Sequence, residues 1–218
     1  MHYYRARWYD SNLGRFISED PIRFRGSSNW YSYVENSPLN FTDPFGLYAI
    51  VFFDRANGTI KVWDLDIKPD TAREPDFQLS GIFSGTGNCT NKAECETKEN
   101  EGPIPEGGYR IGGKTDEPRH PGWWRLYRRL SDDVNSSDYF AYDSNYAPIK
   151  DKTTGKVTYR GGFYLHPGRL SLGCVTFPLS LRAEYEKMSE ILKRTSKLDF
   201  KDKSSGKTMK SSGSLIVF

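Results

Sequence analysis

Residues 48–65 read YAIVFFDRANGTIKVWDL and contain two apolar or alternating runs separated by a short polar turn. The turn includes Asn57 and Gly58, and the dipeptide Asn-Gly is a strong short-range signal for a tight hairpin turn. The β-branched and aromatic residues on either side favour strands. The stretch therefore predicts an antiparallel hairpin and a β-rich fold built outward from it.

Short strand-like segments recur along the rest of the chain, separated by clusters of Gly, Pro, Asn and Asp. They are FQLSGIFSG, GGYRIGG, WWRLYRRL, DYFAYD, KVTYRGGFYLH, GCVTF and SLIVF. One helix is predicted in SLRAEYEKMSEILKRT, with Ser180 as its N-cap. Its apolar face comprises Leu181, Tyr185, Met188, Ile191 and Leu192. The polar segment KLDFKDKSSGKTMKSSG is predicted to be a solvated loop. The predicted fold class is mainly β, a sandwich or barrel with one main helix in the C-terminal half.

The composition excludes several classes of protein. With 218 residues the chain can bury a core without disulfides. Its formal net charge of +3 is too weak to favour nucleic acid or a membrane surface as a partner. No stretch approaches the length of a membrane span, and MHYYRARWYD lacks the apolar run of a secretory signal. WWRLYRR interleaves aromatic and basic residues, but an amphipathic strand accounts for that pattern, so we expect no nucleic-acid partner.

The three cysteines divide into a close pair and one left over. Cys89 and Cys95 can form a small local disulfide in an oxidising compartment and stay reduced in the cytoplasm. A zinc site that combines them with His120 lacks the close Cys or His spacing that such sites use, so we expect no metal. Cys174 is the unpaired cysteine.

Cys174 lies in GGFYLHPGRLSLGCVTFP, residues 161–178, eight positions after His166. A thiol becomes a nucleophile when an imidazole takes its proton and backbone N–H groups receive the oxyanion. A strand ending at His166, a short loop and a new element starting at Cys174 would bring the two side chains together. Gly173 allows close backbone approach, and Ser171 can hold the loop or a ligand. The alternative is a packed strand pair, because single cysteines and histidines are often simple core residues.

The string His, four residues, Ser, one residue, Gly-Cys-Val resembles the active-site signature of L,D-transpeptidases of the YkuD type. The compact type VI-secreted L,D-transpeptidase-like effectors are the nearer resemblance, because Ser80-Gly81, NEGPIPEGGYRIGG at 100–113 and GWWRLY at 122–127 also occur in order. The resemblance covers most of residues 48–180. One departure is that HPGRLSLGC is shorter than the usual transpeptidase loop, which concerns the acceptor side of the site.

This resemblance implies an L,D-transpeptidase-like fold, no cofactor, and peptidoglycan stem peptides as substrate. Cys174 would be the acyl-forming nucleophile and His166 its base, with Ser171 and Gly173 as companion residues of the motif. The substrate groove would include six further residues: Gly102, Pro103, Ile104, Pro105, Tyr109 and Arg169. Pro and Gly at this density also suit an ordinary β turn. The acceptor would decide the reaction, since water gives an L,D-carboxypeptidase, a D-amino acid gives exchange and a second stem gives a cross-link.

Residues 3–47 are of a different kind, with Tyr, Arg, Gly, Asn and Pro at short intervals. YYRARWYD, GRFISEDPI and NWYSYVENSPLNFTDPFGL resemble the C-terminal end of the Rhs core, the YD-repeat shell of polymorphic toxins. That resemblance implies two parts, the Rhs core segment 1–47 and a toxin domain 48–218, and an autocleavage motif at their boundary. Six residues fill this motif: Asp20, Pro38, Asp43, Pro44, Gly46 and Leu47. Asp-Pro also simply starts turns.

Together the two resemblances imply a secreted antibacterial effector that acts in the target-cell periplasm. The partners implied are peptidoglycan stem peptides, the Rhs shell of the parent protein and a cognate immunity protein. The alternative function is a non-catalytic peptidoglycan-binding module on the same fold, and alkylation of Cys174 distinguishes the two.

Overall fold

The computed structural model describes residues 2–4, 7–17, 49–65, 73–131, 141–145, 147–151, 153–195 and 197–218. The predicted boundary between residues 47 and 48 lies outside this part of the chain. So do all six residues of the predicted autocleavage motif: Asp20, Pro38, Asp43, Pro44, Gly46 and Leu47.

A small antiparallel sheet lies in the N-terminal segment. Its strands, in spatial order, are β1 (His2–Tyr4), β2 (Arg7–Asp10) and β3 (Arg15–Phe16). The Asp10 carboxylate accepts the backbone N–H groups of Asn12 at 2.8 Å and Leu13 at 3.3 Å, which closes the turn between β2 and β3. This sheet agrees with the β-hairpin character expected for residues 3–47.

The rest of the described chain contains thirteen strands and the α-helix α1 (Arg182–Arg194). The strands are β4 (Ala49–Asp54), β5 (Thr59–Asp64), β6 (Phe77–Ser80), β7 (Gly107–Lys114), β8 (Trp124–Arg129), β9 (Tyr142–Asp143), β10 (Ala147–Lys150), β11 (Val157–Arg160), β12 (Tyr164–Gly168), β13 (Val175–Pro178), β14 (Leu198–Lys201), β15 (Thr208–Ser211) and β16 (Gly213–Val217). Nine of these described strands form one sheet in the order β13-β12-β8-β7-β16-β4-β5-β6, with β9 paired to β8. The pairs β12–β13 and β16–β4 are parallel.

The predicted hairpin at residues 48–65 is present as β4 and β5, in antiparallel register from Ala49↔Asp64 to Asp54↔Thr59. Its turn ends at Gly58, which has a φ of +59° and lies so close to the Ile82 carbonyl that a Cβ would be 2.6 Å from that oxygen. Successive side chains of these strands point to opposite faces of the sheet and belong to two different apolar clusters. Val51 and Phe53 belong to the main core, whereas Phe52 packs in a smaller cluster on the other face.

The large sheet curls until its two ends meet. Phe83, which follows β6, forms an antiparallel bridge with Thr176 of β13 through N–H···O bonds of 3.1 and 2.8 Å. β6 and β13 are the opposite ends of the strand order, so this bridge closes the sheet into a barrel-like body. The mainly β fold with one main helix is confirmed, and the sandwich-or-barrel alternative is decided in favour of a single curled sheet.

Helix α1 packs its apolar face against the main core. Tyr185, Met188, Ile191 and Leu192 are buried, as the sequence predicts. The predicted N-cap is wrong: Ser180 lies in a 3₁₀ turn at Leu179–Leu181 that precedes the helix, and the helix begins without a side-chain cap. The helix has 13 residues, and none of the helices in the described chain is long and apolar enough to cross a membrane.

The polar segment after the helix is also different from the prediction, because it forms the antiparallel hairpin β14–β15 rather than a solvated loop. Asp202 organises its turn by accepting the N–H of Ser205 at 3.2 Å and the hydroxyl of Ser205 at 2.6 Å. The hairpin packs on the barrel through Phe200, whose ring is 4.9 Å from that of Tyr127. A second hairpin, β10–β11, leads directly into the segment of His166.

Candidate active site

His166 and the strand that follows Cys174 are neighbours in a parallel pair. β12 contains His166, and β13 begins one residue after Cys174. Leu165 is paired with Val175 and His166 with Thr176, so the first pair faces the main core and the second faces the opposite side. Cys174 is two residues before Thr176, the residue paired with His166, and lies just before the start of β13.

The imidazole of His166 is buried and has a defined tautomer. Nδ1 lies 3.1 Å from the Pro167 carbonyl and must donate to it, because a carbonyl only accepts. The neutral ring then has a free lone pair at Nε2, which accepts the hydroxyl of Thr176 at 3.2 Å. Burial lowers the pKa of His166 to about 4; the Pro167 carbonyl opposes this shift and His120 adds to it. At neutral pH the ring is uncharged and Nε2 is a base.

The thiol of Cys174 is nearly inaccessible, with a residue exposure of 9%. Burial raises the pKa of Cys174 to about 12, although the backbone N–H of Tyr164 and the charge of Arg160 oppose the shift. Its sulfur lies 4.0 Å from the Gly162 carbonyl. In this resting arrangement the thiol is protonated, and the hydrogen bonds of Nε2 and Sγ go to Thr176 and Gly162 instead of to each other.

Ser171 and Gly173 shape the loop in front of the thiol. The Ser171 hydroxyl donates to the Cys174 carbonyl at 2.7 Å and accepts the Gly85 N–H at 3.1 Å, so it joins this loop to the segment after β6. Gly173 has a φ of +118°, and a Cβ there would lie 2.6 Å from Nη2 of Arg160. The conformation and the lack of space both require glycine at this position.

Arg160 is a buried residue that the sequence reasoning missed. Nη1 donates to the Pro103 carbonyl at 2.8 Å and also to the carbonyl of Glu96, while Nη2 donates to the Gly102 carbonyl at 2.9 Å. The guanidinium thus connects residues 96–103 to the underside of the Cys174 loop. Burial is the main cause that lowers the pKa of Arg160. Its position at the end of a short strand, in which Val157 and Tyr159 are exposed, gives no sequence signal for this role.

The residues predicted to line a groove are mostly internal. Gly102, Pro103 and Pro105 are buried, Ile104 is fully buried in the main core, and Tyr109 is 1% exposed. The Tyr109 hydroxyl donates to the Pro105 carbonyl at 2.7 Å. The carbonyls of Gly102 and Pro103 are connected to the loop before Cys174 through Arg160, which packs against Gly173. Arg169, in contrast, is exposed beside it.

An aromatic cluster that the sequence reasoning did not assign covers His166. Trp123 is stacked on the imidazole with a centroid separation of 3.8 Å and an interplanar angle of 10°. His120 lies 4.7 Å from both Trp123 and Tyr164. The Glu117 carboxylate closes the cluster, since it lies 3.3 Å from Nδ1 of His120 and accepts the Tyr164 hydroxyl at 3.4 Å. The run HPGWW at 120–124 is the sequence signal that could have indicated it.

A disulfide joins Cys89 to Cys95 near the same site. The next residue, Glu96, forms an ion pair with Arg55 in the interior and accepts the Glu106 N–H at 3.1 Å. The disulfide loop is thereby fixed to the barrel, next to the carbonyls that Arg160 binds. His120 lies instead in the aromatic cluster, and no group of three metal-ligating side chains is found in the described residues.

Relatives of known name match short parts of the chain. It is 47% identical over 47 residues to double-stranded DNA deaminase toxin A of Burkholderia cenocepacia, which covers 22% of this chain and 3% of that protein. It is 47% identical over 45 residues to the probable deoxyribonuclease RhsA of Dickeya dadantii, covering 21% and 3%. The chain thus spans only a small fraction of the length of these relatives.

Among solved structures, the chain is similar to the helical cell shape determining protein Pgp2 (K307A mutant) from Campylobacter jejuni. The likeness has a TM-score of 0.39 at 16% identity, and covers 78% of this chain and 47% of that one. The family comparison covers the site itself, because the Tlde1 domain matches residues 79–202, which include the aromatic cluster, Arg160, His166 and Cys174. That match extends over more than half of the chain, and the protein therefore belongs to the Tlde1 domain family.

Proposed function

We propose that this chain is an antibacterial effector whose β domain is a cysteine L,D-carboxypeptidase or L,D-transpeptidase acting on peptidoglycan stem tetrapeptides. The observation that carries the proposal is the placement of a neutral, tautomer-fixed imidazole on β12 and of the Cys174 thiol directly before the parallel neighbouring strand β13. Ser171 and Gly173 hold the loop between them. The Tlde1 domain match and the His-x₄-Ser-x-Gly-Cys-Val resemblance support the same reading.

The chemistry begins with a proton transfer. Cys174 Sγ attacks the carbonyl between diaminopimelate and the terminal D-alanine, and its proton moves to Nε2 of His166. Because the pKa of Cys174 is raised and that of His166 is lowered, the ion pair is unstable at rest, and it forms only as the S–C bond forms. The amides near Gly173 and Cys174 serve as oxyanion donors.

Collapse of the tetrahedral intermediate breaks the C–N bond, and His166 returns the proton to the departing D-alanine amine. The acyl group is then a thioester on Cys174. Water attack on the thioester regenerates the thiol and gives a tripeptide acid, which is carboxypeptidase action. A free D-amino acid gives exchange, and an amine from a second stem gives a cross-link.

The cellular role rests on the N-terminal segment and on the relatives. Residues 3–47 resemble the end of an Rhs core, and one relative is named as a toxin and another as RhsA. We propose release of residues 48–218 at Leu47 by the motif of Asp20, Pro38, Asp43, Pro44 and Gly46. Delivery to the target-cell periplasm and neutralisation by a cognate immunity protein in the producer complete this proposal.

The test is mass spectrometry of purified tetrapeptide muropeptides incubated with the chain. We expect loss of D-alanine, or its replacement when another D-amino acid is present. Cys174→Ala and His166→Ala should each abolish this, and the double variant should be no worse than either, since the two groups act as one unit. Thr195→Ala, at a buried threonine just after α1 whose hydroxyl donates to the Ser212 carbonyl at 2.8 Å, is the control for general destabilisation.

Two other outcomes would replace the proposal. Binding of muropeptides without turnover would indicate the non-catalytic peptidoglycan-binding module. The names of the two relatives also raise nucleic acid as a substrate, so double-stranded DNA is incubated in parallel and analysed for uracil and for strand breaks. Turnover of DNA with intact muropeptides would overturn the cell-wall assignment.

A further inference from the structure

Trp123 makes the closest ring contact with His166. The indole and imidazole planes are nearly parallel, at 10°, with centroids 3.8 Å apart. The two ring nitrogens of His166 are already bound in the plane, by Pro167 and Thr176. In-plane hydrogen bonds fix the rotation of a ring, and a stacked partner restricts its tilt. Trp123 therefore supplies a restraint that the hydrogen bonds do not.

Trp123 is itself firmly held. Its carbonyl accepts the Thr115 N–H at 2.8 Å, and the Thr115 hydroxyl donates to the His120 carbonyl at 2.6 Å. The Tyr185 hydroxyl lies 3.2 Å from the Gly122 carbonyl and 3.3 Å from that of Leu165, so helix α1 joins the Trp123 turn to the His166 strand. The indole is part of a built support for the imidazole.

We infer that Trp123 is a positioning residue for the base: it holds the His166 ring in the orientation that receives the Cys174 proton, and it shields the ring from water. This rests on the proposed function. The stacked indole excludes water from the resting ring, and this exclusion keeps the ring neutral and able to accept a proton.

The other groups that face His166 do not replace this contact. His120 lies behind Trp123 and disfavours a second positive charge. Thr176 is uncharged, and the thiol of Cys174 is protonated at rest. Glu117 and Arg125 reach the cluster through Tyr164 and form an ion pair with each other at 2.9 Å, so their charges largely cancel.

The test has one arm that needs no substrate. The chain contains three histidines, so ¹³C-labelled His gives few Cε1–H signals, and His166→Gln assigns the signal of interest. In a Cys174→Ala background we compare Trp123→Leu and Trp123→Phe with the control Trp63→Leu, whose indole is buried in the smaller cluster and not in the aromatic cluster over His166. We expect the His166 pKa, about 4 beside Trp123, to rise by more than one unit in Trp123→Leu, with loss of the upfield ring-current shift. In Trp123→Phe the His166 pKa and the ring-current shift should lie between those of wild type and Trp123→Leu. Trp63→Leu should change neither quantity.

The kinetic arm uses D-alanine release. Trp123→Leu should lower kcat by about 10- to 100-fold with KM changed less than about threefold, because a misplaced base affects the chemical step. The acid limb of its kcat/KM profile should move up in pH with the His166 pKa. An unchanged His166 titration, or a loss confined to KM, would overturn the inference. If the wild-type chain releases no D-alanine, the proposed function fails while the titration still decides the role of Trp123.

Discussion

Replacing Gly173 by alanine tests whether the loop in front of Cys174 is built as described. Gly173 has a φ of +118°, where a residue with a Cβ costs about 1–3 kcal/mol. The new Cβ would lie 2.6 Å from Nη2 of Arg160 and 3.0 Å from Cε1 of Phe163. Arg160 cannot swing aside freely, because it is buried and bound to backbone carbonyls, including that of Gly102 at 2.9 Å.

Losing that charged hydrogen bond adds about 1.5–3 kcal/mol, so the free energy of unfolding should fall by roughly 2.5–6 kcal/mol in total. Urea denaturation of the purified chain measures this. Two control variants separate the contributions. Gly206→Ala has a φ of +67° in open space and should show only the backbone cost of about 1–2 kcal/mol. Gly113 has no positive φ and no atom within 4 Å of a new Cβ, so Gly113→Ala should change the free energy of unfolding by less than about 0.5 kcal/mol. If Gly173→Ala is no worse than Gly206→Ala, the packing of Arg160 under the loop is not as argued.

Three further predictions concern ionisation and the disulfide. The His166 pKa of about 4 lies below the 6.5 of an unfolded histidine, so the unfolded chain binds the proton first as pH falls. Between pH 6.5 and pH 4, protonation of His166 in the unfolded chain should therefore lower the free energy of unfolding by up to about 3 kcal/mol. The free energy of unfolding should fall more steeply with decreasing pH in wild type than in His166→Gln. Parallel pH curves for the two proteins would contradict this. Because the pKa of Cys174 is about 12, iodoacetamide at pH 7 should label the native thiol at least about 100-fold more slowly than the urea-unfolded one, and equal rates would refute the buried, protonated thiol. Replacing both Cys89 and Cys95 by serine should lower the free energy of unfolding, measured without reductant, by about 2 kcal/mol. The effect is small because the disulfide closes a loop with a sequence separation of only 6. An unchanged free energy of unfolding would show that the disulfide does not form.

The parts of the fold that could be predicted from sequence are those with a local signal. Asn57-Gly58 fixes a tight turn between two β-prone runs, and the 3.6-residue spacing of Tyr185, Met188 and Leu192 marks the helix. The hairpin β14–β15 had no such signal. Its composition is polar, and the pairing is stabilised by distant residues, as when Phe200 packs on Tyr127.

The candidate site also combines features that have a local sequence signal with features that depend on distant contacts. The His166–Cys174 spacing and Gly173 were visible because the residues lie on one short stretch. The parallel pairing of β12 with β13, the closure of the sheet by Phe83 and the buried position of Arg160 depend on contacts between distant parts of the chain. A single sequence does not encode these contacts as a pattern. The burial of Ile104 has the same origin, because a Pro-rich loop reads as exposed until the barrel around it is known.

The central claim is that Cys174 forms the acyl intermediate on a stem peptide. Its most direct test is peptide mapping by mass spectrometry after the chain is mixed with tetrapeptide muropeptide and quenched rapidly in acid. The account predicts a thioester on the peptide that contains Cys174, formed with stoichiometric release of D-alanine, and neither adduct nor D-alanine from Cys174→Ala. Release of D-alanine by Cys174→Ala at the wild-type rate, or an acyl adduct on a different residue, would contradict it.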